Sequence, residues 1–430
     1  MDNTVSAPFS GEVAELAELC VSITDCHHST PTYLDKGKLV IRNFNIKNGQ
    51  LLLNNPSYTD EESFQLRIKR AVPEPGDLII TREAPMGEVC IIPEGIECCL
   101  GQRMVLLKTN RSKVSSEFLL FALQSEFVQK QINKSDKTGS IVSNLRIPVL
   151  KELLVPRFDV GVESLICKSL TALENKIALN NKINAQLEGM ARLLYEYWFV
   201  QFDFPDAEGK PYKSSGGKMV YNEQLKREIP EGWRAGNIME LTELIGGGTP
   251  KTGNRTYWDG NIPFFTPADS EDYIFSMDTK EKLTSSGLDN CSSRLFAKGT
   301  VFITARGTVG KVNVASTEMA MNQSCYALQG RPDIDYPFVY FYVHDLVKHV
   351  KSKASGSIFK ALVTNDFKFT NLPVPTRSLI QRYVSQVKVS FEQILNNKKQ
   401  NQQLAALRDW LLPMLMNGQV RVEEEKVRAV

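Results

Sequence analysis

The sequence predicts a mixed α/β (α+β) fold, in which two similar mixed α/β domains are separated by two long antiparallel coiled-coil helices under a pseudo-two-fold. Three observations predict it: a run of motifs recurs in the same order in each half, a long Pro-free helical stretch closes each half, and a polar, Gly-rich segment joins them. At 430 residues the chain has room for two or three domains. Its 42% hydrophobic and 23% charged residues give the balance of a globular protein rather than a disordered one. The net charge of +2 excludes a chain that is basic throughout, so any nucleic-acid surface has to come from local clusters of Lys and Arg.

The repeat is read first, because it organises the rest. Gly76-Asp-Leu-Ile-Ile-Thr-Arg-Glu-Ala-Pro-Met-Gly-Glu-Val89 matches Gly299-Thr-Val-Phe-Ile-Thr-Ala-Arg-Gly-Thr-Val-Gly-Lys-Val312, with Thr81 on Thr304 and Gly87 on Gly310. The same register puts Gly37-Lys-Leu-Val-Ile on Gly260-Asn-Ile-Pro-Phe. Gly101-Gln102-Arg103 answers Asn322-Gln323-Ser324, and Gly139-Ser140-Ile141 answers Gly356-Ser357-Ile358. Leu-Leu-Val-Pro156 and Leu-Pro-Val-Pro375 close the two copies. Within each copy, Leu78–Thr81, Val301–Thr304 and Met104–Leu107 are short β-rich runs. Phe118–Gln131 and Pro337–Lys351 carry Leu, Phe, Tyr and Val on one helical face.

After each closing proline comes a helix, from Val160 to about Trp198 and from Ser378 to about Leu412. In the first, Leu173, Ile177, Asn180, Asn184, Leu187, Ala191 and Leu194 step by threes and fours, the narrow seam of a coiled coil. A constant shift carries Ile177 onto Ile394, Asn180 onto Asn397, Asn184 onto Asn401, Leu187 onto Leu404, Met190 onto Leu407 and Leu194 onto Leu411. Two asparagines on each seam lower stability but fix register, since only one alignment pairs them. The two helices are therefore expected to pack on each other. The expected boundaries are 1–157 and 231–376 for the two α/β domains, 158–200 and 377–416 for the helices, 201–230 for a connector and 417–430 for a tail.

Absent motifs narrow the chemistry. Gly310-Lys311 lacks the glycine and hydroxyl positions of a P-loop, and there is neither a G-x-G-x-x-G after a strand nor an H-E-x-x-H. The N-P-P-[YFW] tetrapeptide of amino-group methyltransferases does not occur. Asp206 with Glu208-Gly-Lys210 matches only the letters of a nuclease motif, in a loop that would not hold two carboxylates around Mg²⁺. No catalytic residue is expected in this chain. The eight cysteines show no C-x-x-C pair, so no metal site is expected and reduced thiols are. The N-terminus lacks the regions of a signal peptide and no apolar run reaches ~18 residues, which leads to a cytoplasmic expectation.

The helices and connector carry a specific likeness. Leu173-Glu-Asn-Lys-Ile with Asn180-Asn-Lys-Ile-Asn184, Tyr197-Trp-Phe-Val200, Phe204-Pro-Asp and Gly209-Lys-Pro-Tyr-Lys-Ser-Ser-Gly-Gly217 resemble the specificity subunit of type I restriction–modification systems. So do Ile229-Pro-Glu-Gly-Trp233, Gly246-Gly-Gly-Thr-Pro250, Tyr257-Trp258 with Gly260, Gly307-Thr-Val-Gly-Lys311 and Asn322-Gln-Ser-Cys325. The first copy departs from the pattern, with no Gly-Gly-Thr-Pro and with Ala84-Pro-Met-Gly87 in place of Gly307-Thr-Val-Gly310. The resemblance implies two target-recognition domains, each for one half of a split, asymmetric double-stranded DNA target. It also implies helices that set the spacer and bind two methyltransferase subunits, with restriction/translocase subunits joining through those. S-adenosylmethionine, ATP and Mg²⁺ are then cofactors of the partner chains, and this chain holds none. A helix of about 35 residues is roughly 50 Å long, enough to hold two groove-reading modules a helical turn or more apart.

Base readout needs fork donors and amides. The candidates are Thr81, Arg82, Gln102 and Arg103 in the first copy, and Thr304, Arg306, Asn322, Gln323 and Ser324 in the second. Lys311 and Lys360 suit phosphate contacts, as do backbone N–H groups at Gly139-Ser140 and Gly356-Ser357. Trp233, Tyr257 and Trp258 are read as core packing. The aromatics that crowd the helix ends, Tyr197, Trp198, Phe199 and Trp410, are candidates for partner docking, unless the α/β domains cover them. The competing reading is a protein-binding structural adaptor with no nucleic-acid role, which the near-neutral net charge favours.

Overall fold

The computed structural model describes residues 11–136, 144–353 and 361–420. It divides into two compact units, one from Met1–Lys176 with Gln403–Val430 and one from Ile177–Gln402.

In the first unit, β1 (Cys20–Asp25), β2 (Leu78–Thr81), β3 (Val89–Ile91) and β4 (Met104–Thr109) form an antiparallel sheet in the order β1-β4-β2-β3. The unbroken apolar runs of β2 and β4 are explained by burial on both faces. Leu78, Ile80, Val105 and Leu107 point into a core with Phe118, Leu119 and Ala122 of the helix Ser116–Gln124. Ile79, Met104 and Leu106 point the other way, into a core with Cys90, Cys98 and Ile41. There the strands Lys38–Ile41 and Cys98–Leu100 pair in parallel. A short antiparallel pair, Val13–Glu15 with Leu154–Pro156, brings the start of the unit to its closing proline.

The second unit repeats this plan. β5 (Thr242–Gly246), β6 (Phe275–Ser276), β7 (Val301–Thr304), β8 (Val312–Ala315) and β9 (Cys325–Gly330) run in the order β5-β9-β7-β8-β6, so the first four retrace the first unit's sheet. The parallel pair recurs between Trp258–Phe265 and Ala320–Met321, and the closing pair between Arg234–Gly236 and Leu372–Val374. Val301 and Ile303 face the core under the helix Tyr336–Lys353, while Phe302 stacks on Phe265 at 4.9 Å on the other face.

Two features differ from the sequence reading. The single helix expected over Phe118–Gln131 is two, Ser116–Gln124 and Glu126–Asp136. Ser125 stands between them in an extended conformation and its hydroxyl donates to Ala122 O at 2.6 Å, a serine competing successfully with the helical ladder. The segment expected as a polar connector is largely structured. Met219–Asn222 and Arg227–Pro230 form a hairpin, Phe202 and Ile229 are fully buried, and Phe204 stacks between Tyr212 and Trp233 at 4.6 and 5.6 Å.

The long helices are α1 (Val160–Tyr195), which ends in a wider turn over Glu196–Val200, and α2 (Arg377–Met416). Each contributes to both units. In the second unit they pack antiparallel, because Asn180 meets Asn401 while Asn184 meets Asn397, and the Tyr383 hydroxyl donates to Ala191 O. In the first unit Glu174 of α1 pairs with Arg408 of α2 at 2.6 Å. Every seam residue named from the sequence (Leu173, Ile177, Asn180, Asn184, Leu187, Leu194, Ile394, Asn397, Asn401, Leu404 and Leu411) is buried or half-buried.

The asparagines pair with one another across the seam. Asn180 Nδ2 donates to Asn401 Oδ1 at 2.8 Å and to Gln400 Oε1 at 2.7 Å, and Asn397 Nδ2 donates to Asn184 Oδ1 at 2.8 Å. Asn184 Nδ2 is buried without a hydrogen-bond partner. An Asn397→Leu variant leaves the whole Asn184 amide unpaired and is expected to lose about 1–3 kcal/mol. Changing Asn184 to Leu as well removes both polar groups and recovers most of that loss. Urea denaturation of the wild type, both single variants and the double variant checks this; equal stability of Asn397→Leu and the wild type contradicts it.

Candidate nucleic-acid interface

The site is built from one turn, made twice. In each unit a hairpin turn joins two sheet strands, Thr81 to Val89 between β2 and β3, and Thr304 to Val312 between β7 and β8. Thr81 N donates to Glu88 O at 2.8 Å and Gly87 N to Thr81 O at 2.9 Å; in the second unit Thr304 N donates to Lys311 O at 3.0 Å and Gly310 N to Thr304 O at 2.8 Å. The threonine hydroxyl closes each turn, Thr81 Oγ1 accepting from Glu88 N and Thr304 Oγ1 from Lys311 N, both at 3.0 Å. Thr304 Oγ1 also donates to Thr308 O. Gly87 and Gly310 sit at φ 85° and 83°, a region closed to most side chains, and a Cβ on Gly310 would stand 2.8 Å from Val347 Cγ1.

This corrects the sequence reading of Thr81 and Thr304 as base-contacting residues. Both are fully buried and both hydroxyls are committed to the turn. They are the frame of the surface, not its face.

A second loop is bonded onto each turn. Arg82 N donates to Arg103 O at 2.8 Å, while Ala305 N and Arg306 N donate to Ser324 O at 2.8 and 3.2 Å. The structure thus brings Arg82, Gln102 and Arg103 together in one unit, and Arg306, Lys311, Asn322, Gln323 and Ser324 together in the other.

The side chains differ in what they are free to do. In the first unit Arg82 is only 12% exposed. Its guanidinium donates to Asp25 at 2.8 and 2.9 Å, to Leu145 O at 3.0 Å and to Asn144 Oδ1 at 3.1 Å. Arg103 is 53% exposed, at φ 67°, with its Nε 3.0 Å from Glu83. Gln102 donates to His28 O. Together with His28, Glu83 and Asn144 these three line a cleft of about 270 Å³.

In the second unit Arg306 is exposed and has no carboxylate within ion-pair distance among the described residues. Lys311 pairs with Asp272. Asn322 Oδ1 is occupied by Ser324 N at 3.0 Å, and the exposed Gln323 accepts from Thr249. Thr249 is placed there by the Gly246-Gly-Gly-Thr-Pro250 loop. A Cβ on Gly247 would lie 2.2 Å from Asn322 O, so only glycine permits that approach. His28, Glu83 and Asn144 in one unit and Thr249 and Asp272 in the other were not singled out from the sequence, although the Gly-rich motif around Thr249 was a usable signal. Ser140, Ser357 and Lys360 lie outside the described residues.

Two of the four aromatics proposed for partner docking are also reassigned. Trp198 and Phe199 are buried in the second unit's core, where Phe199 packs on Phe338 at 5.1 Å, Tyr383 at 5.2 Å and Trp233 at 6.1 Å. Tyr197 is half-buried against the same core. Trp410 is 54% exposed.

Among the described residues no group of three or more His, Cys, Asp or Glu is placed to hold a metal, and no helix is long and apolar enough to cross a membrane. Asp206 caps a turn, accepting from Glu208 N and Lys210 N. Burial pushes the Cys20, Cys90 and Cys98 thiols up to about 12, in keeping with side chains that serve as apolar packing.

Comparison with known proteins agrees with the internal repeat. The model of the type I restriction modification DNA specificity domain matches twice, over residues 11–189 and 230–406. The chain is 26% identical over 358 residues to the type I restriction enzyme MjaIX specificity subunit of Methanocaldococcus jannaschii, covering 81% of this chain and 78% of that one. It is 23% identical over 368 residues to the HindI specificity subunit of Haemophilus influenzae, covering 74% of this chain and 80% of that one. In fold it is similar to the crystal structure of a type I S subunit from M. genitalium, with a TM-score of 0.57 at 15% identity over 99% of this chain and 98% of that one.

The different surroundings of the two arginines give a direct test. Arg82→Ala leaves Asp25 with His28 as its remaining partner beside a buried gap and is expected to lower stability by about 1–3 kcal/mol, whereas Arg306→Ala should change it by less than about 0.5 kcal/mol. Chemical denaturation of the two variants side by side checks the contrast, and a stable Arg82→Ala refutes the structural role.

Proposed function

The chain belongs to the type I restriction modification DNA specificity family, and from that premise we propose that each of its units reads one half of a split, asymmetric DNA target. The observation that carries this reading is the doubled turn: one buried frame of threonine, glycine and backbone hydrogen bonds presents different outward side chains in the two units. Arg103 and Gln102 stand on one, and Arg306, Asn322 and Gln323 on the other. Arginine pairs with guanine edges and Asn or Gln with adenine edges, so two such sets suit two different half-sites. Lys311 suits a phosphate, which would take the place of Asp272; such contacts position the protein without selecting sequence.

The helices supply the second half of the reading. At 1.5 Å per residue the 36 residues of α1 span about 54 Å. A pair locked in register by its asparagines suits a spacer of fixed length between the half-sites. In this proposal the helices also carry two methyltransferase subunits, to which restriction/translocase subunits attach. The chain performs no reaction itself. Adenine methylation with S-adenosylmethionine and ATP- and Mg²⁺-dependent steps belong to those partners.

Two experiments test the reading. Arg306→Ala should weaken binding to the second unit's half-site by about 1–3 kcal/mol and leave the other half-site untouched, as read by competition with duplexes scrambled in one half at a time. Equal loss at both halves points to general electrostatics instead. A seven-residue insertion in both helices, at the level of Asn184 and Asn397, lengthens the pair by about 10 Å and should move the preferred spacer by about three base pairs. An unchanged spacer preference refutes the ruler.

A further inference from the structure

Each unit carries a cleft between the start of one of its own helices and the first turns of a long helix. In the first unit the cleft measures about 700 Å³ and is lined by residues 111–117, at the start of the helix Ser116–Gln124, and by Ser164, Cys167, Lys168 and Thr171 of α1. In the second it measures about 440 Å³ and is lined by Asp333, Ile334 and Asp335, just ahead of the helix Tyr336–Lys353, and by Gln381, Val384, Ser385 and Lys388 of α2. The shift of 217 residues that carries Ile177 onto Ile394 carries the four α1 residues onto the four α2 residues in order. Ser115 and Asp335 correspond as well, each standing just before its helix and just after a buried residue, Val114 or Ile334. The two clefts are one inherited feature whose chemistry has diverged.

The second unit's cleft supplies its own anion. Asp335 accepts from Tyr336 N at 2.8 Å, at the positive end of the helix, and its other oxygen accepts from Lys388 Nζ at 3.1 Å. In the first unit Ser115 and Thr171 stand in place of that acid and that base, and Ser116 in place of Tyr336. Ser116 lines the cleft and is only 6% exposed, yet its hydroxyl has no hydrogen-bond partner among the described residues. A buried hydroxyl left unpaired is destabilising until something bonds it. The start of the 36-residue α1 opens on the same cleft through Val160, and the first N–H groups of a helix have no acceptor in their own ladder. Three cations line it, Arg111, Lys113 and Lys168. Arg111 is set by Pro75 O, which accepts from its Nη2 at 3.3 Å, and Lys113 is exposed with no ion pair among the described residues. Of the three acids there, Glu163 is committed to Arg157 at 2.7 Å, while Glu94 and Glu117 are exposed. Two acids and one lysine in the second unit have become an excess of cations in the first.

We propose that the first unit's cleft is a binding site for a compact phosphate-bearing molecule, from inorganic phosphate up to a nucleotide in size. A phosphate there takes the place that the Asp335 carboxylate holds in the second unit. It accepts from the N–H groups at the helix start and from the Ser116 hydroxyl, while Arg111 and Lys113 offset its charge. The rest of the molecule extends toward Ser164 and Thr171 of α1, so occupation ties the start of α1 to the helix Ser116–Gln124. A cleft of about 700 Å³ has the volume of a small-molecule site. Duplex DNA carries phosphates too, but the cleft lies at the far end of the sheet from the turn that follows Thr81. Leu107 pairs with Leu78 and Met104 with Thr81, so Gly76 and Arg111 stand beyond one end of β2 and the turn beyond the other. At 3.3 Å per residue, Gly76 and Thr81 are about 17 Å apart.

The test titrates the full-length chain with inorganic phosphate and with pyrophosphate at constant ionic strength, chloride serving as the control, and reads binding by calorimetry and by the rise in melting temperature. One saturable site per chain is expected. Ser115→Asp should weaken it ~10-fold or more, because aspartate installs the carboxylate that the second unit already has, and should keep the melting temperature of the free chain because aspartate caps a helix as well as serine does. If that variant melts early, Lys113→Glu carries the same test from an exposed position. No saturable site in the wild type, or unchanged affinity in both variants, overturns the proposal. Duplex DNA lacking both half-sites should leave the affinity for pyrophosphate unchanged. Displacement of pyrophosphate by that duplex, with weaker duplex binding in Lys113→Glu, overturns a free molecule as the occupant in favour of the DNA backbone.

Discussion

Pairing of side-chain amides across the helix seam is the constraint on which the rest of this protein depends. Leucines alone would let α1 and α2 slide by a turn at little cost, since one apolar knob fills a hole much as another does. Asn180 with Asn401 and Asn184 with Asn397 remove that freedom, because any other register buries amides without partners. The repeat equivalents are Asn180 with Asn397 and Asn184 with Asn401, so the two contacts are images of each other. A single residue pattern, written twice, specifies an antiparallel pair with one alignment. The cost is visible in Asn184 Nδ2, left without an acceptor.

The two turn surfaces obey a similar economy. The parts that must be the same are made of backbone and buried side chains: the threonine that closes the turn, the glycine at positive φ, and the backbone bonds to the neighbouring loop. The parts that must differ are outward side chains resting on that frame. Even so, the cations of the two surfaces are not equally free. Arg82 is held by Asp25 and two further acceptors, and Lys311 by Asp272, while Arg306 has no ion pair among the described residues. Carboxylates beside the cations lower the general attraction for phosphate.

Much of this was legible in the sequence. The repeat, the strand runs after Gly76 and Gly299, the two helices and the asparagine seam all come from order and period, which a sequence displays directly. What it does not display is direction. Thr81 and Thr304 stand beside glycine turns and have the polarity of a contact residue, yet their hydroxyls turn inward to backbone amides. Trp198 and Phe199 crowd a helix end in the manner of an interface, yet the wider turn over Glu196–Val200 swings them onto Phe338 and Tyr383. The hairpin over 219–230 was hidden by a polar, Gly-rich composition, although Phe202, Phe204 and Tyr212 in its approach are the residues that anchor it. Ser125 broke a helix that its neighbours favoured, through one hydroxyl bond that no periodicity foretells.

Leu415 and Met416 near the end of α2 are buried in the core of the first unit, beside Phe118, Ile166 and Leu170. That core joins residues that precede the second unit in the chain to residues of α2 that follow it. Throughout synthesis of the second unit, the first unit therefore waits with an apolar gap facing solvent. During that interval the nascent chain invites chaperone binding or association with another unfinished copy, and a premature stop upstream of Leu415 leaves that gap permanently open.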